Sequence, residues 1–400
     1  MYSIIRIVFE FPPCIGGSIS HILELSKTIN SHLTSQVILA PNYPGGKDFD
    51  VSFSIPIIRI NYSRVLWFLT KKNVLFSYSI LLFFYANSVV KEIQNLIKSN
   101  NNNNIVIHVH GWFLGIFVVF ALKIRHILLP VVVMQHGGYK DVTNKFKKIN
   151  KLLVDLYRPN SYLLLNDGTE MSDFITILDD KQIPYRVVYH GIDTVYFKPS
   201  MKKSNNNIFT ILFPHRLVPF KRPDLALKIY KVFLDKLSIQ NKTKLIITTI
   251  DNKSGANIDK ELVAFILNNN LTDEVEIVSG VNYFNVRELI NKSDVVIGTS
   301  IISNMNRSIT EAMACEKAVI VFGSGETSEL IINGENGLVV ESGNINEFVD
   351  ALIQLYKNRE LRNDLGKRAR ITVINKRSWQ SRINVELDVY KAVIKELSKT

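Results

Sequence analysis

The side chains best placed for chemistry are histidines and cations that directly follow apolar, β-rich runs. Ile107-His108-Val109-His110-Gly111 ends one such run and Met134-Gln135-His136-Gly137-Gly138 ends another. Ligands of open α/β sheets gather off the carboxyl ends of the strands, so His108, His110 and His136 stand where chemistry is done. Alternation along a strand puts His108 and His110 on one face. That pair could begin a metal site, but no carboxylate or cysteine completes it convincingly. Asp48-Phe49-Asp50, in a loop after Pro44-Gly45-Gly46, could hold a divalent ion; solvated turn acids are the commoner reading. Phe213-Pro214-His215-Arg216-Leu217-Val218-Pro219-Phe220-Lys221 places Arg216 and Lys221 around a turn into a helix, which suits a grip on phosphate oxygens. A solvated basic loop would have the same composition. Pro12-Pro13-Cys14-Ile15-Gly16-Gly17 sets paired glycines before a helix, where backbone amides can approach an anion. Ser308-Ile309-Thr310-Glu311 precedes an apolar run, so Glu311 is either a ligand-binding acid or the returning acid of a capping box.

These residues need a scaffold, and the sequence supplies one in repeated strand-and-helix alternation. Strand candidates are Ser3–Phe9, Gln36–Ala40, Ile105–Val109, Pro130–Gln135, Ser161–Leu165 and Arg186–Tyr189. A second series comprises Ile208–Phe213, Lys244–Thr249, Val275–Val278, Asp294–Gly298, Ala318–Phe322 and Gly337–Val340. Many are near-continuous Val/Ile/Leu runs, as in parallel strands covered on both faces. The fold class is α/β. The polar tract Asn205–Asn207 precedes the second series, so the hinge falls between Gly191 and Asn207.

The chain has 400 residues, 46% hydrophobic and 21% charged, which excludes disorder, collagen-like repeats and coiled coil. Two cysteines, Cys14 and Cys315, exclude a disulfide framework and suit a reducing compartment. Of the net charge of +12, nearly all sits in Val51–Lys151, which holds 13 Lys/Arg against Glu92 and Asp141. Such a block suggests an anionic partner: a membrane surface, nucleic acid or a phosphorylated substrate. Neither finger spacing nor an aromatic-basic RNA motif is present, so nucleic acid is set aside. Arg6 and Glu10 interrupt the N-terminal apolar run, which fails as a signal peptide. Gly111–Leu122 is apolar for only 12 residues, short of the roughly 20 a spanning helix needs, and reads as a buried helix. Asn73–Val90, flanked by Trp67, Phe68, Lys71 and Lys72, reads either as an interfacial amphipathic segment or as a core helix.

Taken in order, the motifs resemble glycosyltransferase family 4, the retaining, nucleotide-sugar-dependent transferases of GT-B fold. The resemblance runs nearly end to end. It covers the Pro-Pro-x-x-Gly-Gly loop, His108-Val109-His110, His136-Gly137 and Val188-Tyr189-His190-Gly191-Ile192-Asp193. It continues through Arg216-Leu217-Val218-Pro219 with Lys221, Glu311-Ala312-Met313-Ala314, Glu329, Asn333–Val340 and a Trp379…Tyr390 helix. It implies two Rossmann-like domains with parallel sheets facing a central cleft: an acceptor-side domain at 1–190, a nucleotide-sugar-binding domain at 191–375, and a helix at 376–400 crossing back to the first. Arg216 and Lys221 match the diphosphate-binding pair, Glu311 the acid on the ribose hydroxyls, and Gly16 and Gly17 the loop over the phosphates. His136 matches the histidine near the donor sugar and reaction centre. Asn304, Met305, Asn306, Arg307 and Ser308 fall on the donor side, His108 and His110 on the acceptor side. No metal and no other cofactor is implied.

The sequence departs from the family in places. Ser303 stands where a Glu is usual, eight residues before Glu311; His215 and His190 replace Gly and Asn; Thr249-Ile250-Asp251 replaces a Gly-x-Gly. The resulting expectation is sugar transfer from a nucleotide-sugar to a glycan or polyprenyl-linked acceptor, in the cytoplasm and on the inner, anionic membrane surface. A catalytically weak binding or scaffold protein, or another GT-B enzyme such as a sugar epimerase or phosphorylase, are the alternatives.

Overall fold

Among the described residues thirteen strands, four to seven residues each except for the three of the last, account for the apolar runs. They are β1 (Ser3–Ile7), β2 (Ser35–Pro41), β3 (Ile57–Ile60), β4 (Ile105–His110), β5 (Val131–His136), β6 (Ser161–Leu165) and β7 (Tyr185–Val188), then β8 (Phe209–Phe213), β9 (Thr243–Thr248), β10 (Val275–Val278), β11 (Val295–Gly298), β12 (Ala318–Phe322) and β13 (Leu338–Val340). The computed structural model describes residues 2–14, 17–63, 75–99, 104–137, 147–166, 170–200, 208–215, 217–237, 242–249, 256–281, 283–301, 307–323 and 327–398. The chain divides into two compact units, Met1–His190 with Arg382–Thr400, and Gly191–Ser381.

In the first unit seven parallel strands run in the order β3-β2-β1-β4-β5-β6-β7. One face packs Ile5, Ile107, Val109 and Val133 under the helices Leu75–Ser99 and Trp112–Ile124. The other packs Ile4, Val106, Val132 and Met134 against Ile383, Val389, Tyr390 and Val393 of the last helix, Trp379–Leu397. The second unit has six parallel strands ordered β10-β9-β8-β11-β12-β13. Its faces are covered by Pro223–Leu237 and Ile345–Lys357 on one side, and by Arg307–Ala314 and Arg359–Arg377 on the other. Both units are Rossmann-like, and the fold is of GT-B type. Parallel strands buried on both faces explain why the sequence shows runs rather than alternation.

Several segments differ from expectation. Asp48 and Asp50 lie in the helix Gly46–Ser52, not in a loop, and Asp50 is held by the largely buried Arg59 at 2.6 Å. An acid already paired in this way is not open to a divalent ion. Of Asn73–Val90, the described part belongs to the helix Leu75–Ser99. Leu81, Leu82, Tyr85, Ala86, Val89, Val90 and Ile93 form its buried stripe at helical spacing, so this face is core. Among the described residues no helix is long and apolar enough to cross a membrane. The break before the last helix falls at Ser378 rather than at 376, because Arg359–Arg377 is continuous and Ser378 is extended. Ile192 pairs across that break, donating to the Arg377 carbonyl at 2.7 Å and accepting from the Trp379 amide at 3.3 Å. A Cβ on Gly191 would come within 2.3 Å of the Trp379 ring, so glycine is required for this approach.

Candidate functional site

In the second unit the winding reverses between β8 and β11: β9 and β10 lie to one side, β12 and β13 to the other. The carboxyl ends of β8 and β11 therefore bound the crevice where such sheets bind ligands. After β8 the chain passes His215, makes a tight turn over Pro219–Lys221 and enters the helix Pro223–Leu237. Lys221 is buried to 8% exposure, with its amine 5.3 Å from the centre of the Phe220 ring. After β11 comes Thr299, wholly buried, whose hydroxyl lies 3.0 Å from the Lys221 carbonyl and 2.8 Å from that of Arg222. One side chain thus ties the two loops of the crevice together.

The helix Arg307–Ala314 follows on the β11 side. The buried Glu311 carboxylate accepts from the Arg307 Nε at 2.9 Å, one helical turn away. Ser308 is the second residue of the helix and so is not its N-cap; the Ser-x-x-Glu spacing makes no capping box here. A buried acid held by a cation in this way stays oriented for hydroxyl donors. Burial first, and then the Lys221 charge, push the His215 imidazole down to about 3, so it is neutral near pH 7. Gly16, Arg216, Ser303, Asn304, Met305 and Asn306 lie outside the described residues; Gly17 is the first residue of the helix Gly17–Ile29.

The first sheet reverses between β1 and β4, and a polar cluster sits there. Arg6 of β1 is in register with His108 of β4. The buried Arg6 guanidinium donates to Gln36 Oε1 at 3.1 Å, to His108 Nδ1 at 3.1 Å and to His110 Nε2 at 3.1 Å. Tyr390 places its hydroxyl 2.6 Å from His108 Nδ1, and Glu386 lies 3.5 Å from both His108 and Arg382. His110 Nδ1 meets His136 Nε2 at 2.7 Å, and the His108 and His110 rings stack 4.6 Å apart. His21 and His190 meet through their Nδ1 atoms at 2.8 Å, with the His21 ring edge-on to His136.

Burial is the first cause that holds these imidazoles neutral. It pushes His21, His108 and His110 well below the usual range, helped by neighbouring cations and histidines, and His136 down to about 3, helped by Arg382 and Arg6. His108, expected on the acceptor side, is fully buried, with Arg6 and Tyr390 both at its Nδ1 and its Nε2 buried without a hydrogen-bond partner among the described residues. His110 is nearly as buried, and both its ring nitrogens are engaged. Among the described residues no group of three or more His, Cys, Asp or Glu side chains is arranged to hold a metal ion.

Thr299, Arg6, Glu386, Arg382 and Tyr390 are absent from the sequence-based expectations as site residues. A charged Arg6 inside an otherwise apolar strand is the one local signal of this cluster.

Comparison with known proteins gives one family and several relatives. Residues 197–372 match the glycosyl transferases group 1 family. Over 398 residues the chain is 22% identical to an uncharacterized glycosyltransferase of Methanocaldococcus jannaschii, covering 96% of each chain. Among solved structures, a glycosyltransferase from Rickettsia africae aligns with a TM-score of 0.73 at 19% identity, over 98% of this chain and 99% of that one. HepE of Anabaena in complex with UDP aligns with a TM-score of 0.71 at 16% identity, over the whole of both chains.

Proposed function

We propose that this chain, which carries a group 1 glycosyl transferase domain at 197–372, moves a sugar from a nucleoside-diphosphate sugar to a hydroxyl of a glycan or polyprenyl-linked acceptor, with retention and without a metal. The observation that carries this reading is the crevice at the β8/β11 reversal, where Thr299 ties the Lys221 loop to the end of β11, the strand that precedes the helix of Glu311.

Each group has work suited to its chemistry. Glu311, oriented by Arg307, accepts from the two ribose hydroxyls. Lys221, together with Arg216 on the same loop, stabilises the diphosphate as the bond from its oxygen to the anomeric carbon breaks. The backbone from Asn304 to Ser308, with Gly16 and Gly17, is assigned to the donor. His136 is assigned to the reacting sugar. In front-face attack the acceptor oxygen forms the new bond to the anomeric carbon while its proton passes to the departing phosphate oxygen. A charged hydrogen bond contributes about 1.5–3 kcal/mol net, so the cations on the diphosphate can supply several kcal/mol. UDP bound to HepE, a protein of like fold, favours a uridine nucleotide. The basic Val51–Lys151 block is assigned to an anionic acceptor or the inner, cytoplasmic face of a membrane.

The test is a thermal-shift screen of UDP-, GDP- and ADP-sugars. A true donor at 100 times its Kd stabilises the protein by about 2.7 kcal/mol. Glu311→Gln is expected to melt like the parent and lose most of that gain. Equal, small shifts for every nucleotide would refute the reading.

A further inference from the structure

We propose that Arg6 fixes the tautomer of His136 through His110, so that His136 presents a hydrogen-bond donor at Nδ1 rather than a basic lone pair. The inference rests on the reading that His136 meets the reacting sugar, and deepens it by assigning Arg6 and His110 as positioning residues.

A guanidinium donates and never accepts. Arg6 Nη1 lies 3.1 Å from His110 Nε2, so that nitrogen is the acceptor and holds no proton. His110 is neutral, because burial and its neighbours disfavour the imidazolium, so its single proton resides on Nδ1. From Nδ1 it donates to His136 Nε2 across 2.7 Å. His136 Nε2 is then an acceptor, and the proton of the neutral His136 ring resides on Nδ1. That Nδ1 atom is buried and has no hydrogen-bond partner among the described residues. An imidazole N–H without a partner is costly in a folded protein and is open to a water, an ion or a ligand atom, as is His108 Nε2 in the same cluster.

The anchor is itself over-determined. Arg6 cannot swing away, because Nε is bound to Gln36, and the same Nη1 also donates to His108 Nδ1. Glu386, beside His108 and Arg382, supplies the carboxylate of the buried layer. Among the described residues, the charged and titratable groups about His136 include His110, His21, His108, Arg6 and Arg382, and neither arginine offers a proton acceptor. A donor at this point suits a sugar or phosphate oxygen that gains negative character, and it excludes His136 as the base that takes the acceptor proton.

The experiment is long-range 1H–15N correlation NMR on the full chain with 15N-labelled histidine, the His136 ring being assigned with His136→Asn. The expected spectrum of the parent, without any ligand, has His136 neutral with Nδ1 protonated and Nε2 bare. A His136 ring protonated on Nε2, or averaged between the two forms, would overturn the proposal, and the parent alone decides this. Arg6→Lys keeps a donor and is expected to keep the pattern. Arg6→Met, where it folds, removes the donor and is expected to release both rings to mixed tautomers; an unchanged pattern would also overturn it. In a transfer assay Arg6→Met should lower kcat at least about tenfold with the donor KM unchanged, and Arg6→Lys should restore most of it. Transfer that fails in the parent refutes the glycosyltransferase reading, whereas the tautomer is read without substrate, so the two failures are distinct.

Discussion

Replacing Thr299 with valine removes one hydroxyl and leaves the side-chain outline intact. In the structure that hydroxyl meets the buried Lys221 carbonyl at 3.0 Å and the Arg222 carbonyl at 2.8 Å, the latter also accepting from the Leu225 amide at 3.1 Å and the Ala226 amide at 3.4 Å. The Arg222 carbonyl keeps its amide donors in the variant, so the loss falls on the Lys221 carbonyl, at a cost of about 1–3 kcal/mol. Part of that cost appears as lost stability. The rest appears as freedom of the loop that carries Lys221, which a bound diphosphate must then restrain. At 1.4 kcal/mol per tenfold change, the whole cost equals a weakening of about fivefold to a hundredfold, and the share that reaches nucleotide binding is smaller than that by what is lost in stability. Urea unfolding followed by circular dichroism measures the first part, and calorimetric titration with UDP measures the second. Thr299→Ser keeps the hydroxyl and should bind UDP as the parent does, losing only about 0.5–1.5 kcal/mol of stability, the contribution of a buried methyl. A valine variant that unfolds at the parent midpoint and binds UDP as the parent does would refute the assignment of Thr299 as the tie across the crevice.

Much of this was open to sequence reasoning, and the gaps have physical causes. The strands were legible because parallel strands covered on both faces must be apolar throughout, as Val131-Val132-Val133 and Leu163-Leu164-Leu165 are. His110, His136 and Lys221 were legible as site candidates because they follow such runs, and strand ends are where open sheets bind ligands. The partners of those residues were not legible. Arg6 meets His108 across 102 positions and Tyr390 meets it across 282, and no local pattern encodes such pairing. His108 reads as a strand-end ligand, and in the structure its Nδ1 is taken up by these partners and its ring is fully buried. Thr299 was hidden for the opposite reason: a threonine after a strand is ordinary until the loop 78 positions away is seen to depend on it. Asp50 misled because Pro44-Gly45-Gly46 announces a turn, whereas Gly45, at φ 78°, ends that turn and starts a helix.

Two further predictions follow from burial and charge. His136 and His215 have values near 3, and His21, His108 and His110 lie well below the usual range. As pH falls below about 6.5 the unfolded chain takes up protons that the folded chain refuses, so stability is full above that point and is lost toward each folded pKa. The expected slope is about 1.4 kcal/mol per pH unit for each histidine; urea midpoints at pH 7, 6 and 5 check it, and a flat profile would contradict it. Neutralising Lys71, Lys72, Lys145, Lys147 and Lys148, at roughly 1 kcal/mol per base near an anionic surface, should weaken sedimentation with phosphatidylserine vesicles more than tenfold. Unchanged sedimentation would remove the membrane assignment.

Product analysis of the transfer reaction tests the central claim most directly. The full chain is incubated with a UDP-sugar and a panel of glycan and polyprenyl-linked acceptors; released UDP is measured, and the anomeric configuration of the product is read by NMR. The account predicts UDP release matched by a new glycosidic bond of the donor's own configuration, lost in Lys221→Met and Glu311→Gln. An inverted product would contradict the proposed mechanism, and no release from any UDP-, GDP- or ADP-sugar would contradict the proposed function.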